Sequence, residues 1–190
     1  ATNNTCVGYG ALNVFTQGDK NVAIGASAGA AMTTGDDNVL VGAGAGDAMT
    51  DTKENIAIGN DSLTTADSGE NYNIAIGYEA MKYANVAGID YNVAIGNGAL
   101  TGGTGELQGN IAIGHAALDA TSGNSSTGQV AIGYNAGTAI TSGAGNLAIG
   151  YQSMSAHTTA NRNTCIGYNT MYAASGDSLN SYDNVFIGYQ

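Results

Sequence analysis

Asn146-Leu147-Ala148-Ile149-Gly150-Tyr151 decides how the chain is read, because its frame returns along the whole sequence. An Asn, an aliphatic residue, a small residue, Ile or Val and then Gly recur at 4–8, 21–25, 38–42, 55–59, 73–77, 92–96, 110–114, 129–133, 146–150, 163–167 and 184–188. The first position is Asn4, Asn21, Asn38, Asn55, Asn73, Asn92, Asn110, Gln129, Asn146, Asn163 and Asn184. The fifth is Gly8, Gly25, Gly42, Gly59, Gly77, Gly96, Gly114, Gly133, Gly150, Gly167 and Gly188. Successive glycines lie 17, 17, 17, 18, 19, 18, 19, 17, 17 and 21 residues apart. A period this regular marks a solenoid, in which each repeat stacks only on its neighbours. The spacing predicts an all-β solenoid of about eleven coils of 17–21 residues. Residues 1–190 then form one repetitive segment of a longer fibre, without separate domain cores.

Within the frame, positions two and four are Val, Ile or Leu, except Thr5 and Thr164. Position three is Ala in seven copies and otherwise Cys6, Leu40, Cys165 or Phe186. Large and small residues thus alternate with the period of a strand, and Val and Ile favour strands. The pattern predicts that the bulky face, as at Val93 and Ile95, closes the core. The flat face, with Ala57, Ala75, Ala94, Ala112, Ala131 and Ala148, is expected outside, where another chain packs closely. The invariant Gly suits a bend where a Cβ would clash or φ is positive. The repeated Asn suits a ladder of stacked amides that also caps turn backbone.

After the Gly comes Tyr in six copies, and two residues later a small residue such as Ala80 or Ser153. The copies then divide. Some continue with Leu or Met, as at Leu63, Leu100 and Leu118. Others have Gly and an apolar residue three further on: Gly29/Met32, Gly46/Met49 and Gly137/Ile140. The second kind predicts a single helical turn, and either kind supplies one large apolar group to close the coil. The remaining Thr-, Ser-, Gly- and Asp-rich residues read as exposed turns, where length varies.

Composition limits function. Only Lys20, Lys53, Lys82 and Arg162 are basic, and the net charge is −11. No basic stripe exists to displace counterions from nucleic acid or to dock on anionic lipid. No apolar run long enough to span a bilayer is present. Neither His115 nor His157 has a Ser/Asp or Cys partner at a recurrent spacing, no Gly-x-Ser-x-Gly elbow occurs, and the Gly-rich runs lack the Lys-Ser/Thr of a phosphate loop. The chain is therefore not expected to be an enzyme or to hold a cofactor or a zinc ion. Weak Ca²⁺ binding in the acidic turns around Asp36, Asp37, Asp47, Asp51 and Glu54 is the one cation contact suggested, although calcium-repeat and EF-hand patterns are absent.

The Asn-x-Ala-Ile-Gly frame resembles the repeat in the head domains of trimeric autotransporter adhesins. It also resembles repeat regions of phage tail fibres that read Asn-x-Ala-Ile-Gly-Tyr-x-Ala-Leu. The copy from Asn73 through Gly77 to Met81 nearly matches the latter, and the likeness covers essentially the whole chain. The adhesin heads have a shorter repeat. The resemblance implies a trimer of solenoid chains on a virion or cell surface, serving reach and attachment to a host glycan or surface receptor. No catalytic residue comes with it. Among the exposed turns, Tyr72, Tyr83, Tyr91, Tyr172 and Tyr182 are the candidate receptor contacts. Two other classes compete: an ice-binding solenoid, for which the Thr pairs keep no common register, and a glycan-degrading β-helix, for which no pair of acids recurs.

Overall fold

The computed structural model describes all residues except 68, 85–87, 103–104, 122–124, 173–180 and 190. The described chain is all-β and contains no helix. Each repeat contributes one three-residue strand, from Thr5–Val7 to Val185–Ile187. The strands form one eleven-stranded parallel sheet in chain order. Register never slips: Val22 pairs with Val39, Ile74 with Val93, and Thr164 with Val185 across the longest repeat. The variable turns therefore absorb every difference in repeat length. Shorter parallel ladders line another side of some coils, as where Leu107–Gln108, Ser126–Thr127 and Gly143–Ala144 stack.

The two faces of the main sheet are the reverse of the sequence expectation. Ala57, Ala75, Ala94, Ala112, Ala131 and Ala148 are at most 1% exposed within the single chain, so they are core and cannot meet a neighbouring chain. Val, Ile and Leu at positions two and four point outward and stay partly or well exposed. The cause is room. The narrow coil must also hold a large residue from its other half, and only a small side chain fits opposite it. Leu40 proves the rule by exception. It replaces Ala where Gly29 and Gly46 stand opposite, and a Cβ on those glycines would lie 2.8 and 3.0 Å from its methyls.

The two kinds of repeat fill one interior slot in two ways. The fourth residue after the bend has positive φ in either kind: 50° at Leu63, 52° at Leu118, 58° at Gly46 and 61° at Gly137. The second residue after the bend has it too, as at Asp61 and Glu79. Alternating left-handed residues cannot continue a helix, so the expected helical turn does not form. Where the fourth residue is Leu or Met, the residue three further on is small in most copies, as at Ala66, Ala84 and Thr121, whereas Phe15 follows Leu12 and buried His157 follows Met154. Where it is Gly, buried Met32, Met49 or Ile140 takes the space.

The bend glycine is required twice. At Gly96 φ is +137°, and an added Cβ would lie 2.4 Å from the carbonyl oxygen of Gly114 in the next coil. Backbones approach closely at this corner, which fixes the distance between coils.

Candidate interaction surfaces

The recurring Asn side chains lie inside the stack. Asn92 shows the pattern: its Nδ2 donates to the Leu107 carbonyl at 2.8 Å and to Asn73 Oδ1 at 3.1 Å. Its Oδ1 accepts the backbone N–H of Asn110 at 2.9 Å and Asn110 Nδ2 at 3.0 Å. One amide thus ties three coils together. Gln129 keeps the acceptor role toward Asn146, while its Nε2 finds no partner. These residues are architecture, unavailable to a ligand. The residue before each Asn is also left-handed, with φ of 61° at Tyr72 and Tyr91, 55° at Asp37 and Arg162, and 65° at Gly109.

The outer face of the main sheet is a candidate surface. Its two columns hold 22 side chains, all aliphatic except Thr5 and Thr164. In mid-sheet, Ile58 and Ile95 are 37% and 36% exposed, although neighbours flank them above and below. Ten inter-strand spacings make the stripe about 48 Å long. Three-residue strands give it a width near 10 Å, so its area is about 500 Å², at the upper end for the surface of a monomer.

An aromatic ladder is a second surface. His115, Tyr134, Tyr151, Tyr168 and Tyr189 follow the bend glycine in five successive coils, with ring centroids 4.9, 5.2, 5.0 and 5.2 Å apart. The rings face one another, so a partner meets their edges and hydroxyls. The sequence signal for this surface is the Tyr that follows successive bend glycines, a column distinct from the turn tyrosines.

Of those turn tyrosines, the structure joins two. Tyr72 and Tyr91 stack in parallel at 4.9 Å between adjacent coils, and both remain exposed. Tyr83 is exposed, with Lys82 Nζ 5.7 Å from its ring centroid. Tyr172 and Tyr182 are exposed too.

The acidic turns are engaged structurally. Asp36 Oδ1 accepts the Asp19 N–H at 3.0 Å, and its carboxylate meets Lys53 at 3.2 Å; these contacts hold its pKa below the usual range. Asp37 meets Lys20 at 3.4 Å. Burial, followed by the nearby Asp61, raises the carboxyl of Asp47. Among the described residues, no three His, Cys, Asp or Glu side chains converge as a metal site would require. His157 is buried, which pushes its imidazole pKa down despite a bond to the Met171 backbone. Cys165 is buried and its thiol is pushed up to about 11, whereas Cys6 is exposed on the first strand. Comparison with models of protein families, with curated proteins and with solved structures gives no match.

Proposed function

We propose that this chain is a structural and adhesive segment of an extracellular fibre, of the phage tail-fibre or bacterial surface-adhesin kind, and that it assembles with copies of itself, three to a fibre. One observation carries the assembly: the aliphatic stripe on the outer face of the sheet, interrupted only at Thr5 and Thr164. Covering about 500 Å² of apolar surface is worth about 12 kcal/mol before the cost of association. A second copy in parallel register fits best, because its side chains repeat at the same spacing along the full length of the stripe. A partner of any other period would fall out of step within a few rungs.

The repeat likeness to trimeric adhesins and tail fibres supports three chains and a location on a virion or cell. Each rung adds about 5 Å of reach. Attachment falls to the exposed aromatics, above all the Tyr72–Tyr91 pair, whose rings suit a glycan or protein receptor. The net charge of −11 argues against nucleic acid and anionic lipid as partners. In this role the fibre needs no catalysis and no cofactor.

The test is native mass and sedimentation of the wild type beside Ile95→Glu/Ile113→Glu and Ser125→Arg. The wild type and the exposed-turn variant should run as a trimer, and the double variant as a folded monomer. A monomeric wild type at high micromolar concentration, or an unchanged trimer in the double variant, defeats the reading.

A further inference from the structure

Three residues before each recurring Asn is a position whose side chain turns into the coil. Across the chain it holds Gly18, Gly35, Thr52, Glu70, Ile89 and Leu107, then small residues. Glu70 is the one ionisable side chain in that column. It is fully buried, and neither carboxyl oxygen finds a partner outside its own backbone. Oγ1 of Thr52, one coil earlier, is buried and unpartnered as well. The following coil offers Ile89, which has nothing to donate.

The charges felt at Glu70 are of its own sign: Asp67 in the same coil, Asp90 in the next and Asp51 in the one before. The cation on the same stretch, Lys53, is committed to Asp36 at 3.2 Å. A carboxylate here would be buried, unpaired and repelled from three sides, whereas a neutral carboxyl would cost far less. The position is also mechanically central. The backbone carbonyl of Glu70 accepts Asn55 Nδ2 at 2.8 Å, tying the turn to the amide ladder. Two residues on, Tyr72 stacks on Tyr91.

We propose that Glu70 is a proton-operated latch: neutral, it stays inside and holds its turn and the Tyr72–Tyr91 pair in place; ionised, it leaves the interior and frees both. Burial lifts its carboxyl from the ordinary 4.5 to about 7, which supports the geometry. The folded pKa lies above the unfolded one. The latch is therefore fully stabilising below the ordinary carboxyl range and fails as pH rises through about 7. No oxidant or metal is involved: one proton leaves to solvent and one buried bond partner, Asn55, loses its acceptor. The consequence is an aromatic contact surface that is ordered in mildly acidic surroundings and loosened in alkaline ones.

The experiment is hydrogen exchange on the intact chain from pH 5.5 to 8.5, corrected for intrinsic exchange, with Glu70→Gln and Glu70→Leu as controls. In the wild type, opening of the amides at residues 69–72 should increase about tenfold per pH unit between the ordinary carboxyl range and about 7, and level off above it. In both variants the opening should be independent of pH. Carboxyl NMR of the wild type should place Glu70 near 7. A Glu70 that titrates near 4.5, or a wild-type pH dependence that persists in either folded variant, overturns the latch. Because the readout is local, trimer formation and the latch stand or fall separately.

Discussion

The sharpest test of the interior is an exchange of filling between two kinds of coil. Ile140 is 1% exposed, and its removal as Ile140→Ala leaves a cavity that costs about 3 kcal/mol. Gly137→Leu alone meets two penalties. A Leu at φ +61° costs about 1–2 kcal/mol. The new Cβ would also stand 3.0 Å from Leu118 Cδ2 and 3.2 Å from Ile140 Cδ1, and overpacking of this kind costs about 1–3 kcal/mol. Treated as independent, the two changes sum to about 6 kcal/mol. Together they rebuild the arrangement of Leu63 with Ala66, in which a left-handed Leu sits opposite a small residue. The backbone cost and the contact with Leu118 then remain, so the double variant should lose about 2–3 kcal/mol and show a coupling of about 3 kcal/mol. Urea midpoints of wild type, both single variants and the double variant, at unchanged m, measure this directly. A double variant as unstable as the sum of its parts would refute the idea of one slot filled in two ways.

Two further outcomes follow from the stack. Gly96→Ala forces a side chain into glycine-only backbone and against the Gly114 carbonyl, and should cost more than about 4 kcal/mol in thermal or urea unfolding. Gly109→Ala has φ +65° with nothing within 4 Å of the added carbon, and should cost about 1 kcal/mol. Deleting residues 110–128 removes one whole rung and lets Gln129 take the place of Asn110 on Asn92; the fibre should fold and shorten by about 5 Å in small-angle scattering. Deleting 110–118 alone removes a strand and the Leu118 filling, and should abolish cooperative unfolding by circular dichroism. The reverse pattern would break the equation of one repeat with one rung.

The period, the strand in each repeat, the bend glycine and the amide ladder were legible because each is a constraint paid at every rung and so printed in every copy. Which face points inward was not. Alternation gives two faces but no sign, and burial of the larger residues is the ordinary solution. Here the coil is too narrow, and the clue lay in covariation: Leu40 appears only where Gly29 and Gly46 make room. The left-handed corners were hidden for another reason. Gly109, Gly128 and Gly145 hint at them, but Lys20, Glu54 and Tyr72 occupy the same conformation because the stack, rather than local preference, dictates it. The aromatic ladder was present as spacing alone, and only stacking geometry turns Tyr134, Tyr151, Tyr168 and Tyr189, with His115, into a surface. The burial of Glu70 had no signal except its place in an inward column, which the sequence does not label.

The register of the main sheet also governs how the filament responds to force. The hydrogen bonds that join one rung to the next run along the long axis, so tension on the ends pulls them open head-on. A strand loaded along its own length would break many bonds together; here they fail a rung at a time. Each rung that yields pays out about 18 residues, close to 60 Å of slack when extended, in place of 5 Å of rod. A single chain of this design is thus a weak but very extensible tether. The proposed bundling along the aliphatic stripe would convert it to a stiff strut, because a rung could then unravel only after it had peeled from its neighbours.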